Sequence, residues 1–173
     1  AQALKLLRVY WQQQLERLRQ EHPALQVVVH AKDRRNRHGG AILNGPDVCA
    51  ALELGLSRAI NCTVVSLDTI PDVRQQLQLF ANTDVYISDA GSAQYYTFFL
   101  STGALHITFD MCTAISSKKA YQGVVAGNIK CDPPSFHQVI KSFPDVKSVA
   151  IPVVENPLSY YKGVYLSKWE AYN

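Results

Sequence analysis

Three arginines stand close together just after a run of β-branched residues. Arg34, Arg35 and Arg37 are followed by Gly39 and Gly40, which let the chain bend closely. Guanidinium groups match phosphate oxygens in a bidentate manner, so this segment is a candidate phosphate-binding loop. Runs of surface charge are common, and a solvated basic loop without a ligand is an equally good interpretation.

A second group of polar residues follows an apolar run at 84–87. Ser88 and Asp89 lead into Gly91 and Ser92, which is typical of a tight turn from a strand into a helix. Free backbone amides at such a turn can bind an anionic group, with Ser92 as the helix N-cap. The turn and the cap need these residue types without any ligand too, and this second interpretation is slightly favoured. Asp89 is either balanced by an arginine or takes part in proton chemistry, and Asp110 ends a further strand.

The other acidic residues and histidines give weaker signals. Asp68 begins a helix-start pattern that runs to Asp72, so a capping role is favoured for Asp68. His30, His106 and His137 fall in strand and helix patterns and are predicted to be packing or surface residues. The motifs of metalloproteases, serine hydrolases, phosphate-loop NTPases and dinucleotide-binding proteins are absent from the sequence, which argues against those classes.

The elements that must position these residues begin with an amphipathic helix. This helix is predicted over residues 1–22 and ends before Pro23, and its polar face includes Gln12. Its apolar face consists of Leu4, Leu7, Trp11, Leu15 and Leu18.

Strands and helices then alternate up to residue 110. The predicted strands are 25–30, 62–67, 84–87 and 105–109, and the predicted helices are 46–59, 72–80 and 92–100. Strands joined through helices are parallel, with right-handed crossovers that place helices on both faces of the sheet. The predicted fold class is therefore α/β, a doubly wound and mostly parallel sheet. The candidate residues follow strand ends, which is where such sheets bind ligands.

The pattern is weaker after Asp110. A helix at 116–125, a strand at 128–131, a helix at 134–143 and a strand at 148–154 are predicted, and Pro152 suits only an edge strand or a strand end. Residues 155–173 form an aromatic C-terminal tail, which we expect to pack against the body or a partner.

Length and composition favour one domain over residues 1–173, with no linker or repeat. The 173 residues are 47% hydrophobic with a formal net charge of +3, so neither disorder nor wholesale nucleic-acid binding is expected. No apolar run is long enough to cross a bilayer, so direct membrane insertion is not expected. The four cysteines permit three disulfide pairings, and no metal or cofactor motif is present. Residues 61–63 fit an N-glycosylation acceptor.

Several segments between Lys32 and Asp110 carry a family resemblance. They are Arg34-Arg35 followed by Ile42-Leu43-Asn44, Val64-Val65-Ser66-Leu67, Leu79 through Ile87, and Thr102-Gly103-Ala104 before Leu105-His106-Ile107. In order and spacing, the stretch resembles the C-terminal half of the inverting glycosyltransferases that include plant arabinoxylan xylosyltransferases and animal EGF-domain O-GlcNAc transferase. Where that family has His-Gly-Ala-Gly, this chain has Ala90-Gly91-Ser92-Ala93.

The resemblance implies a Rossmann-like single lobe of a GT-B-type fold that binds a nucleotide-sugar donor. On it, Asp89 is the candidate catalytic base in place of the missing histidine, and no metal or other cofactor is required. The substrate-binding candidates are Arg34, Arg35, Arg37, Ser88, Gly91, Ser92 and Asp110. A second lobe or partner protein would complete the enzyme, in the endoplasmic reticulum or Golgi lumen. The alternative is a degenerate, non-catalytic lobe that serves as a structural or assembly subunit.

Overall fold

The computed structural model describes residues 2–31, 42, 44–89, 92–109, 111–114, 129–132, 135–141 and 143–151. The first elements are α1 (Gln2–Leu15), β1 (Leu25–His30), α2 (Gly45–Gly55) and β2 (Ile60–Val65). A 3₁₀ helix (Leu67–Thr69), α3 (Val73–Ala81), β3 (Val85–Ile87) and a second 3₁₀ helix (Ser92–Phe99) follow. The later elements are β4 (Leu105–Phe109), β5 (Met111–Ala114), β6 (Ile129–Asp132), α4 (Ser135–Ile140) and β7 (Lys147–Ile151).

Five strands form one parallel sheet in the order β2-β1-β3-β4-β7. The chain is therefore a doubly wound α/β protein of Rossmann-like fold, as predicted. The last described strand, β7, lies at an edge of the sheet, one of the two positions that the sequence pattern around Pro152 predicted. The predicted strand at 128–131 corresponds to β6, which is not part of the five-stranded sheet. It pairs with β5 in a separate two-stranded antiparallel sheet. The β5 strand was not predicted.

Two hydrophobic clusters cover the two faces of the sheet. On one face, Val28 of β1 packs with Phe80 of α3 and Tyr86 of β3, together with residues from the second 3₁₀ helix and α4. On the other face, Val27 and Val29 pack with residues of α2. Neighbouring β1 residues thus point to opposite clusters, which explains why the buried strand reads as a continuous apolar run.

The long amphipathic helix ends earlier than predicted, and its buried face is shifted. Trp11 and Leu18 of the predicted apolar face are half-buried. Leu15 is buried, but Leu7 is 48% exposed and Arg8 is only 2% exposed. The Arg8 guanidinium donates to Asp145 Oδ2 at 2.9 Å and to the Leu100 carbonyl at 2.6 Å. Further bonds reach the carbonyls of residues 97 and 98. Burial lowers the Arg8 pKa, while the Asp145 carboxylate opposes that shift. Arg8 is therefore buried between α1 and the rest of the domain, because carbonyl and carboxylate oxygens there accept hydrogen bonds from its guanidinium.

Gln12 also departs from its predicted place on the solvent side of α1. Its amide nitrogen donates to Thr102 Oγ1 at 2.9 Å and to the Asp145 carboxylate. The polar side of α1 is thus part of the contact between this helix and the body of the domain.

The helix predicted at 92–100 is present as a 3₁₀ helix over Ser92–Phe99, whose aromatic residues favour the α-helix weakly. One further local prediction is wrong. Asp68 lies inside a 3₁₀ helix and does not cap α3. The cap is Asp72, whose side chain accepts from the Arg74 backbone N–H at 2.8 Å.

A disulfide joins Cys49 of α2 to Cys62 of β2, which selects one pairing for these two cysteines. The register of the β5–β6 hairpin sets Cys112 opposite Cys131. Among the described residues, no helix has the length and apolar character needed to span a bilayer. The predicted helix at 116–125 and the aromatic tail at 155–173 lie outside the described residues.

Candidate functional site at the carboxyl edge of the sheet

The carboxyl ends of the parallel strands meet at one edge, and β1 and β3 are neighbours there. The connection after β1 passes through α2 on one face, whereas the connection after β3 passes through a 3₁₀ helix on the other. The two connections therefore leave the sheet toward opposite faces. This reversal of direction is the position at which doubly wound sheets bind ligands.

His30 and Asp89 lie close together at this edge of the sheet. His30 is the last residue of β1, and Asp89 follows β3 by two residues. The His30 Nδ1 atom lies 3.8 Å from the Asp89 Oδ1 atom, and the residues are 5% and 2% exposed. A carboxylate and an imidazole are both groups that can take part in proton transfer.

Backbone and hydroxyl contacts hold Asp89 in place. Its carbonyl oxygen accepts from Ser88 Oγ at 3.1 Å and lies 3.4 Å from Thr108 Oγ1 of β4. Thr108 Oγ1 in turn accepts from Gln94 Nε2 at 2.6 Å. These contacts link the backbone after β3 to both β4 and the 3₁₀ helix, and so fix the backbone that carries the Asp89 side chain.

Tyr86 lies in the sheet beneath this group. Burial, followed by the negative charges of Asp89 and Tyr96, raises its pKa well above the usual tyrosine value. The phenol is consequently neutral near neutral pH, and it donates to the Ala93 carbonyl at 2.9 Å. Tyr86 thus anchors the start of the 3₁₀ helix and contributes no charge of its own.

Ser88, a predicted substrate-binding residue, directs its hydroxyl into the interior. Its Oγ lies 2.9 Å from His106 Nε2, and the His106 Nδ1 lies 3.1 Å from Ser148 Oγ. Ser148 Oγ is also 2.8 Å from His137 Nδ1. These four side chains form a polar chain across β3, β4, β7 and α4. The interior location of His106 and His137 agrees with their predicted packing role.

Ser92 lies at the start of the 3₁₀ helix and is exposed. It borders an open cavity of about 530 Å³ whose other walls are mainly apolar and aromatic. Those walls include Trp11, Tyr95, Tyr96 and Phe99. Ser92 therefore stands where the carboxyl edge meets an aromatic surface.

The structure describes three of the eight predicted site residues, namely Ser88, Asp89 and Ser92. Arg34, Arg35, Arg37, Gly91 and Asp110 lie outside the described residues, and their roles stay predictions.

The contact between His30 and Asp89 was not predicted, because His30 was expected to be a packing or surface residue. The available signal was its position as the last residue of the β1 run, at the same edge as the candidate loops. In the described part of the chain, no cluster of three or more histidine, cysteine or acidic side chains could hold a metal ion.

Neither the models of known protein families nor the curated proteins include a match to this chain. The class that the fold defines is the doubly wound α/β proteins.

Proposed function

We propose that this chain is a nucleotide-sugar-binding lobe of the inverting glycosyltransferase type. The observation that carries the proposal is the buried pair of His30 and Asp89 at the junction of β1 and β3. The Asp89 carboxylate of this pair is a group that can take a proton, and the pair lies at the position where this fold binds ligands. The family resemblance of residues 32–110 is the reason for proposing sugar transfer as the reaction.

In this proposal, the basic segment that follows β1 neutralises the diphosphate of the donor. Arg34, Arg35 and Arg37 stand four to seven residues beyond His30 in the sequence. Guanidinium groups and free backbone amides near Gly91 would stabilise the leaving diphosphate without a metal ion. Ser88, Ser92 and Asp110 remain the other substrate-binding candidates.

Asp89 is the proposed base. It would take the proton of an acceptor hydroxyl while that oxygen bonds to the anomeric carbon and the bond to the diphosphate breaks, with inversion at carbon. His30 would act as a positioning residue, because its Nδ1 lies 3.8 Å from Asp89 Oδ1. A base of this kind contributes roughly 10²- to 10⁴-fold to the rate.

Thermal unfolding with uridine diphosphate tests the binding step. Ligand at about 100 times its Kd stabilises a protein by about 2.7 kcal/mol, which is on the order of 5–10 °C for a chain of this size. We expect Arg34→Ala with Arg35→Ala to abolish that shift. The matched control is Arg58→Ala, which removes an exposed arginine that lines a cavity with Asp84, at the amino edge of the sheet. No shift at millimolar uridine diphosphate or its sugars would refute the proposal.

Asp89→Asn separates binding from chemistry. The variant should keep the ligand-induced shift in melting temperature and lose sugar transfer, because an amide cannot accept the proton. Transfer at the wild-type rate by a folded Asp89→Asn protein would remove Asp89 from the mechanism.

One observation favours the second candidate function, a non-catalytic assembly subunit. Large apolar side chains are exposed on α1, at the start of α3 and on the 3₁₀ helix beside the aromatic cavity. They include Leu6 at 67%, Tyr10 at 58%, Val73 at 65% and Tyr95 at 57% exposure. Surfaces of this kind commonly contact another protein, here a second copy of this chain.

The assembly function predicts behaviour that the enzyme function does not. Nucleotide would leave the melting temperature unchanged. Leu6→Glu with Tyr95→Glu would reduce self-association measured by light scattering without lowering the free energy of unfolding. The assembly function would be excluded if nucleotide raised the melting temperature and the double variant scattered light as wild type does.

A further inference from the structure

The disulfide between α2 and β2 indicates the compartment in which the chain folds. Cys49 and Cys62 are bonded in the structure. Disulfides form and persist in oxidising compartments and are rare in the reducing cytosol. A chain with this bond therefore passes through an oxidising compartment such as the endoplasmic reticulum lumen.

An exposed acceptor sequence overlaps this disulfide. Asn61-Cys62-Thr63 has the pattern Asn-x-Thr and is the single such pattern in the 173 residues. It lies on β2, which is an edge strand of the sheet. Asn61 and Thr63 are exposed, whereas Cys62 is half-buried. Successive strand residues point to opposite faces, so the Asn61 side chain and the disulfide lie on opposite sides of the strand.

We propose that Asn61 is an N-glycosylation site. The co-reactant is an oligosaccharide linked to a lipid through pyrophosphate. A bond forms between Asn61 Nδ2 and the anomeric carbon of the first sugar, the bond from that carbon to the phosphate oxygen breaks, and the lipid pyrophosphate leaves. Nδ2 loses one proton and keeps the other.

The surroundings of Asn61 accept this product. Asn61 Nδ2 donates to Gln26 Oε1 at 2.9 Å, and the proton that remains after glycosylation can maintain that bond. Beside it lies an open cavity of about 280 Å³. Its lining includes the amide side chains of Gln20, Gln26, Gln75, Gln78 and Asn82. Amides offer both donors and acceptors, which suit the hydroxyl and acetamido groups of a first sugar.

Expression of the chain with a secretion signal in a eukaryotic host tests the proposal. Intact mass is measured before and after treatment with a peptide N-glycosidase, whose action converts the linked asparagine to aspartate and so marks its position in a peptide map. We expect wild type and Thr63→Ser to lose the mass of an N-glycan, with the mark at residue 61. Asn61→Gln and Thr63→Ala should lose none.

Thermal unfolding and a non-reducing peptide map establish that each variant is folded and holds the Cys49–Cys62 bond. Secreted wild-type protein that is folded, disulfide-bonded and unglycosylated would overturn the proposal. Nucleotide binding has no part in this measurement, so its outcome is independent of the proposed function.

Discussion

His106 should make the stability of this protein depend on pH. The side chain is fully buried in β4, between the hydroxyls of Ser88 and Ser148, and its ring stacks on Tyr86 at 5.5 Å. Burial, and secondly the charge of His137, lowers the His106 pKa from 6.5 to about 3. The neutral imidazole is thus the form that the folded protein accepts.

The sign of the effect follows from this shift. Because the folded pKa lies below the unfolded value, the contribution of His106 is present above pH 6.5. It is lost progressively as pH falls below that value. Between pH 7 and pH 5 the loss is about 2 kcal/mol, and below pH 3 it reaches about 5 kcal/mol, at about 1.4 kcal/mol per pH unit. The loss at pH 5 corresponds to a fall in melting temperature on the order of 4–8 °C.

Urea unfolding of wild type and His106→Gln at pH 7 and pH 5 measures the contribution of His106 to the pH dependence of stability. Glutamine cannot be protonated in this range but retains an amide for hydrogen bonding. We expect the variant to be less stable at pH 7 by about 1–3 kcal/mol, because its hydrogen bonds are imperfect. Between pH 7 and pH 5, the free energy of unfolding of the variant should fall by about 2 kcal/mol less than that of wild type. His22→Gln, at an exposed histidine, is the matched control and should retain the wild-type loss.

Equal losses in wild type and His106→Gln would refute the reasoning. A direct measurement is available if the variant fails to fold. The ring protons of His106 followed by NMR in the wild-type protein should show no titration between pH 7 and pH 5, and a midpoint near pH 6.5 would contradict the buried, neutral assignment.

Two further predictions concern packing. Arg8→Ala should destabilise the fold by roughly 3–5 kcal/mol in chemical denaturation, because it leaves buried acceptors without their cation, whereas the exposed Arg17→Ala should change stability by less than about 0.5 kcal/mol. Gly45→Ala should cost about 1–3 kcal/mol, because an added Cβ would lie 2.6 Å from Val64 Cγ1. Gly55→Ala is the control, because no atom lies within 4 Å of the added Cβ, and it should leave the stability unchanged or raise it. An equal loss of stability in both variants would show that the clash with Val64 is not the cause.

Local patterns were sufficient for most elements of the fold. The run at 25–30 is β1, and Pro46 with Asp47 marks the first turn of α2 as expected. These signals depend on residues near one another in the chain. The 3₁₀ helix at Ser92–Phe99 is an exception, since its length and position suggested an α-helix while its residue types favour one only weakly.

The site was less accessible to the same reasoning. Asp89 was identified because it follows a strand, but His30 was not paired with it. Their contact depends on β1 and β3 being neighbours, and the two residues are 59 positions apart in the sequence. The burial of Arg8 on α1 was not predicted for a similar reason, since its partners lie far along the chain.

The sequence by itself determined that strands and helices alternate, and hence that the sheet is parallel. That inference needs only periodicity and the length of the connections. Tertiary structure alone decided the strand order β2-β1-β3-β4-β7, the bond between Cys49 and Cys62, and the meeting of His30 with Asp89. The physical reason is that periodicity records which face of an element is buried, whereas the partner across the interface is chosen by the packing of the whole chain.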